Sequence, residues 1–169
     1  LWNQARSLQP LSVHRICRLA VCCLLLFAVI TPVALADNFD KEDLQGRDFA
    51  NRDLTQDSFV KANLKFADLS NANAVGTSLF GANLVRSNLS GADLSEATLD
   101  MANLRQADLK GALFVDSLMW MAKLEDSDIE GADFTNALMR SDTQADLCDR
   151  ASGVNPVSGV PTRDSLDCD

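Results

Sequence analysis

Side chains able to do chemistry are few in this chain, and they are unevenly placed. Of 169 residues one is His, none is Tyr and five are Cys. His14, Cys17, Cys22 and Cys23 all fall in the first 36 residues, so residues 37–169 keep Cys148 and Cys168 beside carboxylates, amides and hydroxyls. General acid–base catalysis most often uses His, and no Gly-rich phosphate loop leads from a strand into a helix. Carboxylates alone need a cleft that pushes their pKa values apart. These residues therefore support no catalytic, cofactor or metal site, and the chain reads as a non-enzyme. Acidic groups outnumber basic ones by 24 to 15, which excludes a nucleic-acid groove built on Lys and Arg.

Residues 1–36 differ in kind from the rest. Arg6, Arg15 and Arg18 precede the apolar run Leu19 to Ile30, and Ala34-Leu35-Ala36 closes the segment without a single acid. A positive stretch, a short apolar stretch and a small-x-small site make a secretory signal peptide, with Asp37 as the mature N-terminus. A retained membrane anchor is the alternative. It needs roughly 18 apolar residues, a length reached here only by including Thr31 and Pro32. An uncleaved segment would thus be the protein's one route to a membrane. Without it, 12 basic groups face 24 acids over residues 37–169. Cys148 and Cys168 remain as an even pair in an exported chain, most simply a disulfide.

The elements that must carry these residues repeat every five positions. From Phe39 to Met139, each fifth residue is large and apolar except Ala74. Two positions before each, from Ala62 to Ala137, stand 12 Ala, three Ser and Thr77. Asp or Asn mostly lies between, as in Ala92-Asp93-Leu94 and Ala102-Asn103-Leu104. A helix would scatter a five-residue period around its axis, since each step advances about 500°. A flat strand would point successive leucines to opposite faces, because five is odd. Each pentapeptide must therefore be a short extended piece and a corner. Corners of one hand wind such a chain into a solenoid with the Leu and Ala columns inside.

Residues 37–140 resemble the pentapeptide-repeat family. The resemblance implies an all-β fold: a right-handed quadrilateral β-helix of about five coils, four pentapeptides to the coil. Leu44, Leu64, Leu84, Leu104 and Leu124 would then form one leucine wall inside. Asp48, Asp68, Asn88, Asp108 and Asp128 would stack on one face, either as an oxygen ladder for Ca²⁺ or Mg²⁺ or, the preferred reading, as turn residues bonding the backbone. Glu42, Arg47, Arg52 and Asp57 occupy the small-residue column of the first coil, where only an end open to water could hold them.

Residues 141–169 read as a C-terminal cap. Ser141 with Gln144 makes a capping-box pattern, which predicts a helix from about Ser141 to Arg150 and a second helical turn from Thr162. The tail also resembles those of exported pentapeptide-repeat proteins of cyanobacteria and the thylakoid lumen, which implies a lumenal or periplasmic location. Four-sided register puts Val60, Phe80, Met101, Leu118, Trp120, Met121 and Leu138 on the outside of one side, with Leu113 and Val115 round the corner. Such an apolar surface is either an interface with an unidentified protein or a second copy, or the seat of the tail. Acidity offers a rival function, mimicry of duplex DNA, since some members of the family bind DNA gyrase in that way. An export signal opposes it, because gyrase is cytoplasmic.

Overall fold

The structure, a computed structural model, describes residues 36–168, and residues 1–35 of the expected leader lie outside the described residues. Within the repeat every pentapeptide performs the same local act. In Ala62-Asn63-Leu64-Lys65-Phe66 the Ala and Leu are buried, and Asn63 between them pairs with Asp43 and Asn83 in parallel bridges. The chain then turns: Ala67 N–H donates to Leu64 C=O at 3.1 Å, closing a four-residue turn. Phe66 at the third turn position has φ 59°. That left-handed conformation disfavours L-residues by about 1–2 kcal/mol, yet 12 non-glycine corners between Lys41 and Asn136 adopt it. The compensation lies along the stack. In Lys61 it aims the corner N–H at the next coil, where it donates to Phe80 C=O at 2.8 Å. Most corners add such a rung to the ladder, whereas Met101, Asp126 and Asn136 are left-handed without one.

Bridges join residues twenty apart from Asn38↔Ser58 to Leu118↔Leu138, so four pentapeptides make one coil. The sides are too short for continuous strands, and each contributes one bridge per neighbour instead. The β character of the fold is in the coil-to-coil ladder. Four interior columns result, centred on Leu64, Leu69, Leu94 and Leu99. The predicted wall of Leu64, Leu84, Leu104 and Leu124 is buried throughout, as is Ala74 in the Leu94 column. Aromatic rings follow the same register: Phe114 and Phe134, one coil apart, stack with centroids 5.1 Å apart and planes 4° from parallel. At the N-terminal end Phe39 stacks on Phe59 at 5.0 Å and Phe49 meets both edge-on. Glu42, Arg47 and Arg52 are exposed there, and Asp57 is half-buried.

Below the last coil, α1 (Ser141–Arg150) and the single turn α2 (Thr162–Ser165) close the core. Leu147 and Leu166 are the buried plugs. The helix begins where expected, but not by the expected cap. Arg140 is the N-cap and makes no side-chain cap bond. Gln144 instead donates its side-chain N–H to Leu166 C=O at 2.6 Å, so tertiary contact takes the group that a capping box would have used locally. Arg150 donates to the carbonyls of Leu124 and Ser127 at the floor of the coil. Cys148 and Cys168 lie at bonding distance, with Cα atoms 5.6 Å apart. No helix among the described residues is long and apolar enough to cross a membrane.

Candidate functional site

The repeat sets the position of every outward side chain, so surface chemistry falls into columns. In the column of Asp48 to Asp128 the carboxylate or amide oxygen turns back to the backbone N–H two residues on. Distances are 2.9 Å for Asp48 to Ala50, 2.9 Å for Asp68 to Ser70, and 3.1 Å for both Asn88 to Ser90 and Asp108 to Lys110. The oxygens are thus spent on the corners, as the preferred reading expects. Hydrogen bonds from Ser70, and from the Asn88 amide one coil below, hold the Asp68 carboxyl below its ordinary value. Lys110 reaches Asp128 at 3.1 Å, and the hydrogen bond with that carboxylate raises its pKa. Among the described residues no group of three or more His, Cys, Asp and Glu could hold a metal ion.

The apolar surface is confined to the Leu99 side and the lower coils. Trp120 and Leu138 are each 58% exposed, Met101 51%, Met121 49% and Leu118 39%. Leu118 and Leu138 are bridge partners on consecutive coils, and Met101 and Met121 occupy the same corner on consecutive coils. Val60 and Phe80 share the column of Trp120 but are half-buried, and Asp100 separates them from it; Leu113 and Val115 are half-buried too. Asp100 accepts the Trp120 N–H at 2.7 Å, fixing the backbone that carries the ring. Phe66, half exposed on another corner, was not part of the expected surface. Its signal lay in the sequence, since position 66 is a corner of the repeat.

One corner in this patch departs from the rule. Met121 lacks the positive φ of Met101, and Met101 N–H makes no bond to Trp120 C=O, unlike its counterpart Gly81, which donates to Asp100 C=O at 2.9 Å. The carbonyl that would have received the Met121 N–H belongs to Arg140, and it accepts Gln144 N–H as α1 begins. Trp120 C=O and Met101 N–H are left without a protein partner among the described residues, beside exposed apolar side chains. Gln56 is the other corner without positive φ.

The tail does not cover the patch. Asn155, buried at 1% exposure, donates its amide to the carbonyls of Gly131 at 2.9 Å and Gly111 at 3.1 Å, both on the corner between the Leu69 and Leu94 sides. Gly131 N–H in turn donates to Ser152 C=O at 2.8 Å. Leu147 goes under the coil as a plug, and Val154 and Val157 point outward at 57% and 74% exposure. Glycine leads the tail to that corner: Gly131 (φ 69°) and Gly153 (φ 80°) approach so closely that a Cβ on Gly153 would lie 2.8 Å from Gly131 N.

Comparison with known proteins agrees with this geometry. The sequence profile for pentapeptide repeats matches residues 75–111 and 102–140. A pentapeptide repeat protein of the Arabidopsis thaliana thylakoid lumen is 36% identical, with TM-score 0.76, over 78% of this chain and 91% of its own. The pentapeptide repeat protein Rfr23 of the cyanobacterium Cyanothece 51142 is 22% identical, with TM-score 0.49, over 61% and 91%. Another from Nostoc is 26% identical, with TM-score 0.30, over 79% and 91%. Curated protein sequences yield no match.

Proposed function

We propose, from the premise that the chain belongs to the pentapeptide-repeat family, that it is a non-catalytic, exported protein-interaction module whose docking surface is centred on Trp120. The observation that carries this reading is the uncovered patch of Met101, Leu118, Trp120, Met121 and Leu138. Contiguous exposed apolar side chains mark interaction sites, and Trp is enriched among the few residues that anchor such contacts. Support for export comes from the residue order of segment 1–36, from the Cys148–Cys168 pair, and from the lumenal origin of the 36% identical protein. These favour a thylakoid lumen or a periplasm, with the helix right-handed as in the family.

The test compares partner capture at low and high salt for the wild type, Trp120→Glu, and the neutralised column variants Asp68→Asn and Asp108→Asn. Loss of partner capture in Trp120→Glu, with the fold intact and little effect of salt, is the expected outcome. Unchanged partner capture in that variant would discard the interface. The DNA-mimic rival requires binding that weakens steeply with salt and on neutralising the acidic columns. Inhibition of gyrase lost in Asp108→Asn would establish it.

A further inference from the structure

Among the described residues the N-terminal coil ends in an unfinished ladder. In the second coil Asn63, Asp68 and Asn73 donate their N–H groups upward to Glu42, Arg47 and Arg52 C=O at 2.8, 2.9 and 2.9 Å. The equivalent N–H groups of the first coil, on Asp43, Asp48 and Asp53, have no acceptor among the described residues. A row of unsatisfied backbone groups at the edge of a β ladder is a template for pairing with another chain.

Side chains on this end determine which chain fits. Glu42, Arg47 and Arg52 are exposed and stand on three successive sides, and the fourth carries Asp37, whose N–H donates to Asp57 one coil below at 2.9 Å. Glu42 and Arg47 form no ion pair among the described residues. Arg52 lies across the end of the core, its guanidinium carbon 5.5 Å from the Phe49 ring centroid. Within the small-residue column the charges around the end therefore run minus, plus, plus, minus, and Asp43, Asp48 and Asp53 lie exposed beside them on the first three sides. A two-fold axis through the corner between the Glu42 and Arg47 sides exchanges those two sides and also exchanges the other two. Glu42 and Asp37 of one copy then face Arg47 and Arg52 of the other. A two-fold through the adjacent corner would set Glu42 on Asp37 and arginine on arginine, and one through the middle of a side would oppose Glu42 or Arg47 to itself. The favoured axis also makes the facing edges antiparallel, the arrangement that lets hydrogen-bonding edges pair directly.

We infer that the N-terminal coil is a self-docking surface, on which a second copy of this chain stacks end to end with Glu42 facing Arg47 and Arg52 facing the acidic side. This surface is separate from the Trp120 patch. The end of one coil is smaller than the ~800 Å² per partner of a standard interface, so the dimer dissociates on dilution and weakens with salt.

Sedimentation velocity of the purified protein over a concentration series tests this with Glu42→Arg, Arg47→Glu and the double exchange. Each single reversal creates two like-charge contacts across the axis and is expected to weaken association at least about tenfold, a change of about 1.4 kcal/mol. The double exchange restores every opposite pair and should restore the dimer. An equimolar mixture of the two single variants should also dimerise, since the arginine introduced in one copy then meets the glutamate introduced in the other; two misfolded variants could not rescue each other. A wild type that stays monomeric throughout the series, a dimer indifferent to the reversals, or one lost in Trp120→Glu would each overturn the inference.

Discussion

Single residues show how narrow the tolerance of the repeat is. The small column admits Ser in place of Ala, and Ser87 and Ser127 each donate to the carbonyl three residues back at 2.7 Å. Ser117 is equally buried, but its hydroxyl has no partner. Removing a buried unsatisfied hydroxyl relieves a cost of about 1 kcal/mol or more, so Ser117→Ala should raise the midpoint of thermal unfolding while Ser87→Ala should not. A second expectation concerns acid. The hydrogen bond with Arg105 holds the Glu125 carboxyl below its ordinary value, as the Ser70 bonds do for Asp68. A carboxyl lowered in the fold contributes stability above its unfolded pKa and loses it as pH falls through the folded one. Stability should therefore decline on acidification, starting near the ordinary carboxylate range of about 4 and continuing below it. Glu125→Gln should flatten part of that decline in a pH series of urea melts, by a small amount, because the pair is exposed on both sides.

At the scale of elements, the corner and the tail are joined through one contact. Gly131→Ala puts a Cβ 3.1 Å from Val154 C=O at a residue with φ 69°. Proteolysis should then nick the chain between Ala151 and Cys168 faster than in the wild type, with the coils unaffected; the cut piece stays attached through the Cys148–Cys168 bridge until reduction. Cleavage within the coils at the same rate would show that the contact supports more than the tail. Breaking the Cys148–Cys168 bridge should likewise loosen α1 and α2 without unfolding the stack. A closed loop of about 20 residues contributes roughly 3 kcal/mol in the chain-entropy model, and that contribution belongs to the cap. Hydrogen exchange before and after reduction measures it, and full alkylation of the unreduced protein would refute the bridge. Helix α1 was legible from Ser141 to Arg150. Its cap was not, because the Gln144 side chain bonds the Leu166 carbonyl 22 residues away and the helix start has no side-chain cap bond.

For the whole molecule the ladder makes neighbouring coils interdependent, so a charge in the middle should be felt at both ends. Leu84→Asp places a carboxylate in a column of full burial and should abolish cooperative unfolding, whereas Gln56→Ala on an exposed corner should leave it unchanged. A folded Leu84→Asp protein would contradict the interior placement of the leucine wall. Much of this architecture could be read directly from the chain. A period of five, with one column large and apolar except at Ala74 and the other small from Ala62 to Ala137, forces an extended piece and a corner, and it decides which side chains face in. Periodicity is a local property repeated, and local sterics settle it. The tertiary structure alone decided where the tail lies, which corners bend left-handed, and whether the Trp120 surface is covered. Those outcomes depend on which distant carbonyl meets which donor: Asn155 with Gly111 and Gly131, Gln144 with Leu166. Such contacts join residues with no fixed spacing between them, so no pattern in the sequence announces them.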